Sequence, residues 1–127
     1  MLVVHKGFFT REEVEKDNHR NYLFGDNLIN RGMAAQAAIR GLPNAFGIPT
    51  KKLPAMTEQS FFTDDEYMGN ISAIIWSFQQ VPRDKPIVIS ENGLGTGLAK
   101  LSEKAPKTAE FLEDFLKNLD KDPYWMI

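Results

Sequence analysis

A chain of 127 residues suits one domain with one core, spanning 1–127, and 43% hydrophobic residues suffice to build it. Its 15 basic against 17 acidic side chains lack the basic excess of a dedicated nucleic-acid binder, so a nucleic-acid partner is not expected. With no cysteine, disulfides, thiolate nucleophiles and cysteine zinc sites are excluded, and the two histidines, His5 and His19, lack metal-ligand spacing. Met1 to Gly7 holds no long apolar run, and no stretch is apolar enough to cross a membrane. The expectation is a cytoplasmic protein with no membrane partner, no metal and no cofactor. Repeats and low-complexity segments are absent.

In chain order, Leu2-Val3-Val4 reads as a short strand. Thr10 and Glu13 have the spacing of a helix capping box, ahead of a charged stretch, Arg11 to Arg20, that reads as a short helix or a loop. Asn21-Tyr22-Leu23-Phe24 reads as a strand stopping at Gly25-Asp26-Asn27. A turn at Asn30-Arg31-Gly32 leads into Met33 to Arg40, rich in strong helix formers and ended by Gly41. Ala45-Phe46-Gly47-Ile48 is the next expected strand, closed by Pro49 and followed by a Thr50 to Pro54 loop. Phe61-Phe62-Thr63 suits a brief strand, and Thr63-Asp64-Asp65-Glu66 a helix start with acids where the dipole favours them. Tyr67, Ile71, Ile74, Ile75 and Phe78 recur at helical spacing, with Pro82 marking the exit. Pro86-Ile87-Val88-Ile89 is the clearest buried strand and runs into a glycine-rich loop, Glu91 to Gly97. A last helix starts near Pro106 with an apolar face of Phe111, Leu112, Phe115, Leu116 and Leu119. Alternating strands and helices argue for an α/β architecture.

Two expected strand ends carry glycine loops, Gly25-Asp26-Asn27 and Gly93 to Gly97. In open α/β sheets ligands bind beyond the strand carboxyl ends, and glycine lets backbone amides approach a phosphate unobstructed. The segment Gly93-Leu94-Gly95-Thr96-Gly97-Leu98 therefore suits a pyrophosphate cradle, although a glycine-rich loop after a strand is more often a plain tight turn; it matches neither the Walker pattern nor the dinucleotide fingerprint. Asp26 is placed to accept from an adenine amino group or a ribose, or else to bond its own turn. Asn27 and Asn30 share that ambiguity. Lys51 and Lys52 can balance phosphate charge or attack a sugar carbon, unless they are ordinary exposed lysines. Arg31 and Arg40 can reach phosphate or be solvated charges, and Glu91 is a candidate general base or a strand-end acid in water. Trp76 and Phe78 read as core. Tyr124 and Trp125 are expected to pack on the body or to cover a ligand or partner.

In combination these motifs resemble the macro-domain superfamily. The residues that carry the likeness are Asn27 to Lys52, with Arg31-Gly32-Met33-Ala34-Ala35-Gln36-Ala37 and Phe46-Gly47-Ile48-Pro49-Thr50-Lys51-Lys52, and the later Ile87-Val88-Ile89 and Leu94-Gly95-Thr96-Gly97-Leu98. The nearest branch is that of terminal ADP-ribose protein glycohydrolase; small uncharacterised proteins of tailed phages look similar. The resemblance implies a compact three-layer α/β/α domain with a mixed central sheet. It implies ADP-ribose or a related nucleotide held by Gly25, Asp26, Asn27, Arg31, Gly32, Met33 and the Gly93 to Leu98 loop. In that branch a lysine after the strand attacks the ribose, a place taken here by Lys51 or Lys52, and an aspartate follows Gly-x-Gly-Leu, where this chain has Ala99. The expected function is thus nucleotide binding. ADP-ribosyl hydrolysis by Lys51 or Lys52, with Glu91 as the replacement acid, is the alternative. A ligand-free module that binds a host protein, in the host cytoplasm if phage-borne, is the third.

Overall fold

The structure is a computed structural model that describes residues 2–119. Tyr124 and Trp125 lie outside the described residues.

Among the described residues the strands are β1 (Leu2–His5), β2 (Asn21–Asn27), β3 (Ala45–Lys51) and β4 (Ile87–Ser90). They form one sheet in the order β1-β4-β2-β3, and every pairing in it is parallel. The expected mixed sheet is therefore corrected to a parallel one. A parallel sheet covered on both faces calls for continuous apolar strands, which is how Tyr22-Leu23-Phe24 and Ile87-Val88-Ile89 read. The class, α/β, stands.

Side chains alternate between two apolar clusters. Leu23, Ile48, Ile87 and Ile89 pack with Ile74 and Phe78 of α2 (Tyr67–Gln79) and Leu112 and Leu116 of α4 (Pro106–Lys117), the α3 turn (Leu101–Lys104) adding Leu101. Tyr22, Phe24 and Val88 pack the other way, on Phe9, on Val14 of α1 (Arg11–Lys16) and on Ile39. The capping box at Thr10 is formed, and α1 ends at Lys16, where Asn44 Nδ2 donates to the carbonyls of Val14 and Asp17.

Several local expectations shift. The alanine-rich stretch makes a 3-10 turn, Ala35–Ile39, rather than a helix over 33–40. Helix propensity is a weak preference, and here Ala35 opens the turn at φ 50 while the Gln36 side chain is tied to the Phe9 backbone. Both β2 and β3 run further than their glycine and proline suggested. Pro49 sits inside β3, an edge strand, where a missing N–H is tolerated. The expected helix start after Thr63 forms as a 3-10 turn, Asp64–Glu66, that runs into α2 at Tyr67, while the Asp64 carboxylate also serves α4 by accepting from the amides of Lys107 and Thr108. These bonds hold its carboxyl below the usual range, against the opposing effect of burial. Trp76 is 63% exposed instead of core, whereas Phe78 is fully buried. The Phe61 region makes a single antiparallel bridge to Lys51. No helix among the described residues is long and apolar enough to cross a membrane.

Candidate functional site

β2 and β4 are neighbours, yet the chain leaves them toward opposite faces of the sheet, to the 35–39 turn after β2 and to α3 and α4 after β4. Such a divergence opens a crevice beyond the strand carboxyl ends. A cleft of about 190 Å³ lies there. Residues expected from the sequence that line it are Gly25, Asp26, Asn27, Arg31, Gly32, Lys51, Gly93, Gly95, Thr96, Gly97 and Leu98. Segments far apart in the chain thus converge on one hollow.

Asp26 is not a free acceptor at its floor. Its carboxylate takes a two-pronged contact from Arg40, with Nη1 to Oδ2 at 2.9 Å and Nη2 on Oδ1. Asn30 Nδ2 donates to Oδ2 at 3.0 Å and the Asn27 amide to Oδ1 at 2.8 Å. The pair is largely buried, with side-chain exposures of 18% for Arg40 and 3% for Asp26. Arg40 also donates to the carbonyls of Gly32 and Arg31, so one guanidinium fastens the 26–32 segment. These four contacts occupy the carboxylate, which orients Arg40 and the loop and offers no free acceptor to an adenine or ribose in this conformation. Gly47 makes room for it, since a Cβ there would lie 2.8 Å from Asp26 Cβ and nearer still to Oδ2.

The loop after β4 forms another wall. Gly93 and Gly95 both have φ +79, a left-handed conformation that side chains resist. Gly95 is also hemmed in: a Cβ would sit 3.0 Å from Leu101 and 3.1 Å from Thr50. The loop is braced by Gly93 N to Ser90 O, Thr96 Oγ1 to Asn92 O and Leu101 N to Gly95 O. Among the described residues none of the amides from Leu94 to Ala99 donates to a protein acceptor. Gly25 admits the loop closely, with the Gly95 nitrogen 3.5 Å from where a Cβ would stand. Backbone N–H groups without a protein acceptor are left to donate to water or to a ligand.

Lys51, 7% exposed, lines the cleft and has no carboxylate partner among the described residues. Its Nζ donates to Ala55 O and stands 4.9 Å from the Phe61 ring centre. Burial pulls the ammonium below the ordinary lysine range. The charged lining residues are Arg31, Arg40 and Lys51 against Asp26 alone, a local positive excess in a chain of net charge −2.

Other expected site residues fall elsewhere. Lys52 does not line the cleft and pairs with Glu66. Glu91 reaches the Gly7 amide at 2.8 Å and leaves the cleft without its expected base. Leu94 is buried in the core, and Met33 is exposed to solvent outside the cleft. Ala99 does line it, presenting only a methyl group. Sequence reasoning missed Phe8, Gln36 and Thr50 as lining residues and undervalued Arg40. Phe8 alone carried a signal, being one of two adjacent phenylalanines after a strand with only Phe9 needed for the core.

A family profile described as a family of unknown function, DUF7831, matches residues 4–115. The chain belongs to that family. The match overturns the macro-domain resemblance, including its glycohydrolase branch and the likeness to phage proteins, and the all-parallel four-stranded sheet departs from the mixed sheet that resemblance implied. The shared pieces were short glycine-containing loops, which recur wherever a strand end must turn tightly, and they do not define a superfamily. No curated protein and no solved structure matches the chain.

Proposed function

We propose that members of this family bind a phosphate-bearing nucleotide, ADP-ribose or a related one, in the cleft between β2 and β4. The observation that carries this reading is the set of amides from Gly95 to Ala99, which have no protein acceptor among the described residues and belong to residues lining a cleft whose charged lining is mostly cationic. An anion satisfies those donors and balances Arg31 and Lys51 together. The cleft volume of about 190 Å³ is below the 300–1,000 Å³ usual for drug-sized ligands. It encloses a ribose-phosphate portion and leaves the remainder of a nucleotide at the rim.

Binding is favoured over hydrolysis. Among the described lining residues Asp26 is the only carboxylate, and it is engaged by Arg40. Glu91 is turned to Gly7, and the Ala99 side chain cannot transfer a proton. Lys51 as a nucleophile lacks an acid–base partner beside it.

Thermal denaturation with ADP-ribose, AMP, ribose 5-phosphate and pyrophosphate tests the reading. A ligand selective for the folded state at about 100 times its Kd stabilises by about 2.7 kcal/mol. A saturable rise in Tm with at least one of these supports it. No rise with any of them at millimolar concentration defeats it.

A further inference from the structure

We infer that Phe8 is a platform on which the planar group of the ligand, a nucleobase, stacks; the inference rests on the phosphate reading above and adds the recognition of a base to it. Phe8 lines the cleft and is 62% exposed, whereas the adjacent Phe9 is buried in the core. An exposed aromatic on a loose loop means little, since surface apolar residues are common. This loop is held on both sides of the ring. The Gly7 amide donates to Glu91 Oε1 at 2.8 Å, and Ser90 Oγ donates to Gly7 O at 2.9 Å. On the other side Gln36 accepts from the Phe9 amide at 3.1 Å and donates through Nε2 to Phe9 O at 2.8 Å.

Side chains from two distant segments thus fix the peptide groups flanking Phe8 and present its ring to the cleft. This arrangement also gives Glu91 a use: it is a positioning residue for the ring. Leu98, 54% exposed, and Pro54 line the same cleft, so its surface joins an apolar rim to a cationic, amide-rich wall. A phosphate joined through a sugar to a flat aromatic base has that same division. Stacking on a side-chain ring tolerates any base, because each has a π-face.

Calorimetric titration of the full chain with AMP and with ribose 5-phosphate, which lacks the base, tests the inference. The quantity read is the ratio of the two affinities. Phe8→Ala is expected to lower the AMP preference about tenfold, the scale of one base–aromatic stack. Phe8→Trp is expected to keep or raise it, and Glu91→Ala to lower it through the freed loop. A ratio that stays constant across these variants, while the phosphate compounds still bind, overturns the platform and leaves the phosphate reading standing. A native chain that binds neither compound overturns the platform, and the phosphate reading falls with it only when ADP-ribose and pyrophosphate also fail to bind.

Discussion

Gly47 does not line the cleft, but replacing it with alanine attacks the cleft from beneath through Asp26, which does. The added Cβ would stand 2.8 Å from Asp26 Cβ and 2.9 Å from Cγ, distances no relaxed structure keeps. Gly47 has no left-handed φ, so backbone strain adds nothing and the whole effect passes through the Asp26 side chain. Overpacking of this kind costs about 1–3 kcal/mol, and separating a buried ion pair about 3–5 kcal/mol. Partial displacement of Asp26 from Arg40 places Gly47→Ala at about 3 kcal/mol, roughly a 10 °C fall in Tm for a chain of this size. The assay is urea denaturation of the native chain, Gly47→Ala, Asp26→Gly and the double variant, glycine at 26 being used because an alanine would keep the Cβ that stands 2.8 Å from the new methyl. If the methyl acts only by pushing the Asp26 side chain away, the double variant is about as stable as Asp26→Gly alone, and the coupling energy is about 3 kcal/mol. Additivity within about 0.5 kcal/mol would refute the reasoning, because it would mean the two residues do not share one space.

The remaining expectations concern the lining itself. Gly25→Ala meets only ordinary contacts, Thr50 Oγ1 at 3.4 Å and Gly95 N at 3.5 Å, so Tm stays within about 2 °C while its methyl screens the Gly95 amide and weakens nucleotide binding about tenfold; calorimetry and a melting curve check the two halves. Ala35 holds φ 50, so Ala35→Gly relieves strain and raises stability by about 0.5–1 kcal/mol in urea denaturation. Burial pulls the Lys51 ammonium below its ordinary value of 10.5, so between the lowered value and 10.5 the unfolded chain binds more protons than the folded one. This residue therefore makes stability rise with pH across that window. Lys51→Met abolishes that rise, and equal pH slopes for the two proteins in the range just below 10.5 would contradict it.

Much of the fold was readable where a signal is local. The run Ile87-Val88-Ile89, the helical spacing of Ile71, Ile74 and Phe78, and the Thr10 capping box all became the elements they suggested. Glycines at 93 and 95 marked a loop that needs left-handed backbone, and the structure brings it beside Gly25, Asp26 and Lys51. What failed depended on partners remote in sequence. Met33 to Arg40 looks helical by composition, but Gln36 and Arg40 bond outward, to Phe9 and to Asp26, and the segment keeps only a 3-10 turn, Ala35–Ile39. Asp26 looked like a ligand contact because its guanidinium partner lies in a different segment. The positive excess of the cleft was hidden by a net charge of −2, since composition averages over the surface. The superfamily resemblance failed for a related reason: short glycine loops report the local turn they make, not the order and direction of the strands they join.

The most direct measurement is amide chemical-shift mapping of the ¹⁵N-labelled chain during titration with ADP-ribose and AMP. The account predicts saturable shifts largest at Gly95, Thr96 and Gly97, as their N–H groups gain an anionic acceptor. Saturable binding with those amides unmoved would contradict it.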